Sequence, residues 1–203
     1  MIKNIIFLLI FIPIVIMAIE TPKYEVVLKK EGFEIRKYPP YVTIETMVSG
    51  EFESAGNKGF RILLDYISGN NQKKQKMEMT APVEQKAVGE KISMTAPVEF
   101  RGSNGNYTLA FVLPGEYTSE NTPLPNDSRI TVIFNKPRIF LAWRFSGFWS
   151  ESNYNENLEK VKNFIEKEKI TTMGEPIYAR YNSPFSIWFL RRNEILQEIN
   201  FQK

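Results

Sequence analysis

Two copies of one hexapeptide hold the residues best placed to do chemistry. Met79-Thr80-Ala81-Pro82-Val83-Glu84 recurs fifteen positions later as Met94-Thr95-Ala96-Pro97-Val98-Glu99, and a lysine, Lys76 or Lys91, stands three residues before each Met. Each copy offers a thioether and a carboxylate. Glu84 and Glu99 occupy equivalent positions, so a turn between the copies would set them side by side, as an acid–base pair or as the charged ends of neighbouring strands. Beyond that the catalytic inventory is thin. The chain contains no His and no Cys, which removes the commonest general base, any thiol nucleophile or disulfide, and the imidazole and thiolate ligands of haem iron. Ser–His and Cys–His catalysis cannot be assembled. The remaining carboxylates, Glu78 and Glu194 among them, show no spacing that marks a catalytic pair. Gly56-Asn57-Lys58-Gly59 has the spacing of neither nucleotide-binding glycine motif. The expectation is binding rather than catalysis, and no enzyme.

Composition says what could be bound. The 26 basic and 23 acidic side chains leave a formal charge of +3 and are scattered in both signs, so no basic stripe offers itself to nucleic acid. Lys73-Lys74-Gln75-Lys76 is the one dense basic patch and reads as a solvated loop. Fifteen Phe, nine Tyr, three Trp and seven Met supply the adaptable apolar surface of which small-ligand pockets are made. Phe185, Ile187, Trp188, Phe189 and Leu190 crowd a Pro-containing segment near the C-terminus. They cap the core, wall a pocket or dock a protein partner.

These residues need elements to position them. Residues 1–19 open with Lys3 and continue as the apolar run 5–19, short for a spanning helix but matched to the core of a secretory signal peptide. Export to a periplasmic or extracellular space is expected, with an uncleaved N-terminal membrane anchor as the alternative and one domain over 20–203. Alternation at 24–29, 33–38 and 41–48 predicts a hairpin and a third strand. Helical spacing of Gly56, Gly59, Phe60, Leu63, Leu64 and Ile67 predicts an amphipathic helix over 54–68 with Ser54 as N-cap. Gly56 and Gly59 would let the sheet or a flat ligand approach that helix closely. The hexapeptides would pair as a hairpin turning at 88–90, its second strand at 92–100, with Pro82 and Pro97 at strand ends or edges. Strands follow at 107–113, 129–134 and 138–145. A second helix carries Tyr154, Leu158, Val161 and Ile165 on one face, and strands at 177–181 and 194–199 close the chain. Residues 41–48, Ser49-Gly50 and the first helix parallel 138–145, Ser146-Gly147 and the second. The fold class is therefore α+β: a pseudo-twofold duplicated unit, its antiparallel or mixed sheet curled toward a distorted β-barrel and flanked by two α-helices.

The two Met-Thr-Ala-Pro-Val segments, Tyr181-Asn182-Ser183-Pro184 and Arg191-Arg192-Asn193-Glu194-Ile195, in this order, resemble the SOUL haem-binding protein family from about residue 24 to residue 199. That resemblance implies the same α+β architecture and a tetrapyrrole, haem included, held in an apolar groove along the first helix. Phe60, Leu63 and Leu64 would then meet the ring, with Lys58 and Arg61 as partners of its propionates. If iron is ligated, Met77, Met79, Met94, a Tyr or a Lys must do it. Phe185 and Trp188 are further candidates for the ligand's surroundings. The expected function is non-enzymatic haem or tetrapyrrole binding, as carrier, buffer or sensor. The alternative is a protein–protein interaction module using the C-terminal aromatic loop.

Overall fold

The computed structural model describes residues 20–73 and 89–201. β1 (Glu25–Lys30) and β2 (Phe33–Tyr38) form a hairpin whose two turn residues, Glu31 and Gly32, both have positive φ, 51° and 83°. That conformation matches the twist of the flanking strands. Pro39-Pro40 separates β2 from β3 (Tyr41–Ser49), and the chain then enters α1 (Phe52–Ile67). Ser54 is not its N-cap. Glu51 holds that position without a side-chain cap, and Ser54 sits inside the first turn, donating its hydroxyl to the Glu51 carbonyl. After β4 (Asn71–Gln72) come β5 (Val98–Ser103) and β6 (Asn106–Val112), joined at Asn104-Gly105. β7 (Leu124–Pro125) pairs with β4 as a small ribbon, and β8 (Ile130–Asn135), β9 (Arg138–Phe145), α2 (Glu151–Glu168), β10 (Thr172–Arg180) and β11 (Asn193–Ile199) complete the order. Ser150 caps α2, accepting a hydrogen bond from the Asn153 amide.

The strand expected over 92–100 begins only at Val98. Pro97 has no N–H to give a ladder. The residues before it are tied elsewhere: the Thr95 hydroxyl donates to the Val112 carbonyl and the Ala96 amide to the Glu20 carbonyl. β5 pairs with β6 and β10. The first hexapeptide, Met79 included, lies outside the described residues, as does the predicted hairpin between the copies.

Among the described residues nine strands form one sheet in the order β1-β2-β9-β11-β10-β5-β6-β3-β8, every neighbouring pair antiparallel. The sheet is open, which corrects the barrel expectation: β1 and β8 stand at opposite ends and do not pair with one another. The free end at β1 is largely exposed and carries Lys29 and Lys30, the kind of charged edge that discourages further strand addition.

Alternation along the strands gives the sheet two different faces. Phe33, Ile35, Ile44, Phe100, Leu109, Phe111, Leu141, Tyr178 and Ile195 point to the side covered by α1 and α2 and form the main core with Leu63, Tyr66, Val161 and Phe164. Each such apolar side chain taken from water contributes about 1.5–3 kcal/mol. The opposite face holds a smaller cluster, Tyr38, Phe140, Ala142, Ile177, Ala179 and Leu196, ringed by Tyr24, Tyr41 and Tyr181. Charge is embedded in that second face. Glu194 is fully buried, and Arg36 reaches it with two guanidinium nitrogens at 2.6 and 3.1 Å.

Candidate functional site

Hydrophobic periodicity makes α1 amphipathic, and the structure divides its residues sharply. Phe52, Ala55, Gly56, Gly59, Ile62, Leu63, Tyr66 and Ile67 are buried. On the outer face Lys58, Arg61 and Leu64 are exposed and Phe60 is partly so, its ring set edge-on against Phe111 at 5.2 Å between centroids. Leu64 keeps 38% of its surface in water. Lys58 and Arg61 make no salt bridge to any described acidic side chain. The result is an apolar strip, Phe60 and Leu64, beside two cations unpaired among the described residues. Leu63 is fully buried in the core, so a ligand on this face reaches Phe60 and Leu64 but not Leu63.

The close approach that Gly56 and Gly59 permit is made by the chain itself. A Cβ on Gly56 would overlap the Trp149 indole, and one on Gly59 would press on Leu109 of β6 at 2.9 Å. Trp149 lies in an aromatic cluster with Phe52 and Phe100, and the Arg180 guanidinium stacks on it at 3.6 Å. Burial without a carboxylate partner lowers the Arg180 pKa to about 10. Nothing in the spacing of the sequence pointed to Trp149, because it sits in the loop between β9 and α2 rather than in a periodic element.

Beside the far end of α1 runs the segment that carries the second hexapeptide. The Ile92 amide donates to the Ile67 carbonyl, which ties Ile92 to the last turn of the helix, while Thr95 already bonds to Val112 and lines the cleft beside Tyr38. Met94, between the two, is 40% exposed. These donor types fit a tetrapyrrole's chemistry in part: an apolar strip for the ring and cations, unpaired among the described residues, for its carboxylates. No His or Cys exists to ligate iron, and the described residues contain no group of three or more acidic side chains able to hold a metal.

Phe185 and Trp188 belong to another surface. Trp188 stacks on Phe148 at 5.2 Å, its carbonyl accepts from the Gly147 amide, and Arg191 ties the loop by donating to the Ser186 and Pro184 carbonyls. Phe185, Ile187, Trp188, Phe189 and Leu190 are 95, 55, 48, 54 and 66% exposed. They do not cap the core.

The second face of the sheet has a cleft of about 430 Å³ between the 20–23 segment and Pro39-Pro40, lined also by Tyr38, Tyr41, Thr95, Leu113 and Glu116. Behind it lies a void of about 10 Å³ bounded by Pro22, Tyr38, Tyr41, Glu99, Phe140 and Tyr181. The Arg191-Arg192-Asn193-Glu194 stretch finds its place on this face as well. Glu194 accepts from Arg36, Arg192 and the Tyr181 hydroxyl. The sequence flagged the motif, but its partner Arg36, on a strand more than 150 residues upstream, carries no signal of its own.

A profile of the family described as "SOUL heme-binding protein" matches residues 19–198. Heme-binding protein 2 of Mus musculus is 27% identical over 172 residues, covering 80% of each chain. Heme-binding protein 2 of Homo sapiens is 28% identical over 177 residues, covering 82% of each. Heme-binding protein 1 of Xenopus tropicalis is 25% identical, covering 81% of this chain and 87% of the relative. Among solved structures, the C-terminal domain of EcmrR superposes with a TM-score of 0.59 at 9% identity, over 87% of this chain and 98% of that one. A protein described as a hydrolase from Listeria innocua does so at 0.50 and 13% identity, over 86 and 94%. The structural likenesses speak for the fold alone.

Proposed function

This chain belongs to the SOUL heme-binding protein family, and from that premise we propose that it binds haem or a related tetrapyrrole on the outer face of α1, without turnover, as a carrier, buffer or sensor. The observation that carries the reading is the adjacency of Phe60, partly exposed, and Leu64, exposed, to Lys58 and Arg61, cations without a carboxylate partner among the described residues. A porphyrin presents the complement: a flat apolar ring with carboxylates at one edge. Haem, when bound, supplies whatever redox or signalling property the protein has. The chain's part is to shield one ring face and pair with the propionates; Met79 lies outside the described residues. The mouse and human relatives are named as haem-binding proteins. The test is a hemin titration of the full chain followed at the Soret band, with protoporphyrin IX in parallel. Saturable one-to-one binding of both with similar affinity is expected, because the ring rather than the iron is held. Non-saturating binding of both refutes the reading.

The same reading places the domain outside the cytoplasm, on the strength of the apolar run in residues 1–19, which lie outside the described residues. No helix among the described residues is long and apolar enough to cross a membrane. Cell fractionation with N-terminal sequencing of the recovered protein distinguishes a cleaved export signal from a retained anchor. The reading also takes the fold as a duplicated unit. In support, β3-α1-β5-β6 and β9-α2-β10-β11 run in the same order along the chain, and their strands lie in mirrored order about the β5–β10 seam.

A second reading rests on the exposed run Phe185–Leu190: a patch for a protein partner. So much aromatic surface on a fixed loop is characteristic of interaction sites.

A further inference from the structure

Most charged residues of the second sheet face are paired among the described residues; the exposed Arg144 on β9 and the buried Glu99 are not. Arg36 and Arg192 hold Glu194, Arg36 and Lys29 hold Glu34, Arg101 holds Glu45, and Arg138 holds Glu198. Glu99 is 5% exposed and receives no hydrogen bond and no salt bridge from any described residue. Arg101 and Arg138, the nearest cations, are committed to Glu45 and Glu198. A buried carboxylate without a donor is costly, and burial raises the Glu99 pKa to about 7. The group faces the 10 Å³ void walled by Tyr38, Tyr41, Phe140 and Tyr181, and Pro22, Tyr38 and Tyr41 line both this void and the 430 Å³ cleft in front of it. The Tyr38 hydroxyl is buried beside Arg36 without an aligned hydrogen bond.

We infer that this face carries a second binding site, distinct from α1, for a primary amine with an apolar body. Its ammonium enters the void as the missing partner of Glu99, and its hydrocarbon or aryl portion fills the cleft. The dimensions select the head group: the void has room for about one water-sized group, which suits –NH3+ but not a trimethylammonium. Aromatic walls favour a cation over a neutral group of equal size. At the mouth Glu20 and Glu116 outnumber Lys23, so the entrance carries the same sign of charge as the floor. Nothing in this inference depends on tetrapyrrole binding, since Val98 and Phe100 point to the helix side of β5 and Glu99 to the other.

Calorimetric titration of the full chain with 4-phenylbutylamine, its N,N,N-trimethyl derivative and 4-phenylbutanol tests it. Saturable one-to-one binding of the primary amine at pH 8 is expected, with the other two at least tenfold weaker. Glu99→Gln should weaken the amine at least tenfold. Affinity in the unaltered chain should rise with pH to about 7 and then level, as Glu99 ionises among Arg101, Arg138, Glu45, Glu198, Tyr38 and Tyr41. Leu64→Ser, on the α1 face, should leave amine binding unchanged. Equal affinity for the trimethyl derivative, no loss in Glu99→Gln, or no saturable binding would each overturn the proposal. If Glu99→Gln fails to fold, the head-group comparison on the unaltered chain decides alone.

Discussion

Replacing Arg36 by Met tests whether the buried charge network on the second face is a mutual dependence or a set of interchangeable contacts. The Arg36 side chain is 4% exposed and Glu194 is fully buried. Arg36→Met keeps most of the volume and removes the bidentate guanidinium, at 2.6 and 3.1 Å, together with the 2.8 Å bond to Glu34 and the stacking on Tyr24 at 4.4 Å. Breaking a buried ion pair from one side costs about 3–5 kcal/mol, because the surviving charge stays buried. Here Glu194 keeps Arg192 at 2.9 Å and the Tyr181 hydroxyl at 2.8 Å, so the lower end, about 3 kcal/mol, applies. In a domain of this size that lowers the melting temperature by roughly 6–12 °C. Urea unfolding at pH 7 is the primary assay, read as a change in midpoint at constant slope. The double variant Arg36→Met, Glu194→Leu should recover most of the loss, since a well-packed apolar pair can replace a buried ion pair at little cost. A single variant within about 0.5 kcal/mol of the parent, the range of an ordinary surface substitution, would refute the reasoning. So would a double variant less stable than the single one.

The α1 face separates stability from binding. Leu63→Ala should cost about 2–5 kcal/mol by opening a cavity in the core and leave hemin affinity in the folded protein unchanged. Lys58→Glu with Arg61→Glu should leave the melting temperature nearly unchanged and weaken hemin roughly three- to tenfold at low salt, less at high salt. Both are read by unfolding curves and Soret titrations. Glu99 makes a pH prediction of the opposite sign to a salt-bridged acid. Its folded pKa, about 7 against an ordinary 4.5, means that the folded state binds the extra proton between those values. Its contribution therefore falls as pH rises from about 4.5 to about 7, by up to about 3 kcal/mol. Glu99→Gln should match the parent near pH 4 and exceed it in stability at pH 8, measured by urea unfolding at each pH. Phe185→Ser with Trp188→Ser should leave the unfolding midpoint nearly unchanged. If the loop docks a partner or a second copy, the double substitution lowers the oligomer or complex fraction in sedimentation. An unchanged distribution would remove the second reading.

Local pattern was legible wherever the period was regular and the face half buried. The predicted strand over 138–145 matches β9 (Arg138–Phe145), because alternation there coincides with a sheet buried on one side by helices and on the other by Phe140 and Ala142. The hairpin at Glu31-Gly32 was legible from its turn residues. What escaped was set by distant parts of the chain. The end at β1 is open because no described strand but β2 pairs with it, a fact no local window contains. Residues 92–97 look like a strand by composition, yet tertiary bonds to Glu20 and Val112 and the donorless Pro97 hold them outside the sheet. Of the residues proposed for the site, Lys58, Phe60, Arg61 and Leu64 share the solvent side of α1, whereas Leu63 is one step around the helix from its neighbour. A turn of 100° per residue is enough to carry it from the surface to the core.

The glycines of α1 show why the open surface of this helix matters more than its grooved one. Gly56 and Gly59 each weaken the helix by about 1 kcal/mol relative to Ala, a cost that only close packing offsets. On the sequence alone that packing could be a sheet or a flat ligand. The structure puts the Trp149 indole against Gly56 and Leu109 against Gly59, and stacks Arg180 on the indole. The flat group accommodated by Gly56 is thus the chain's own tryptophan, in contact with Phe52, which also stacks on Tyr154 of α2. A ligand cannot share that groove without expelling Trp149 and leaving Arg180 without its stacking partner. Any tetrapyrrole on α1 must therefore use the remaining face, where Phe60, Leu64, Lys58 and Arg61 meet solvent. Exchanging Gly56 for Ala should then damage stability through Trp149 while sparing hemin affinity. A gain of about 1 kcal/mol from helix propensity would show instead that the indole is free to leave.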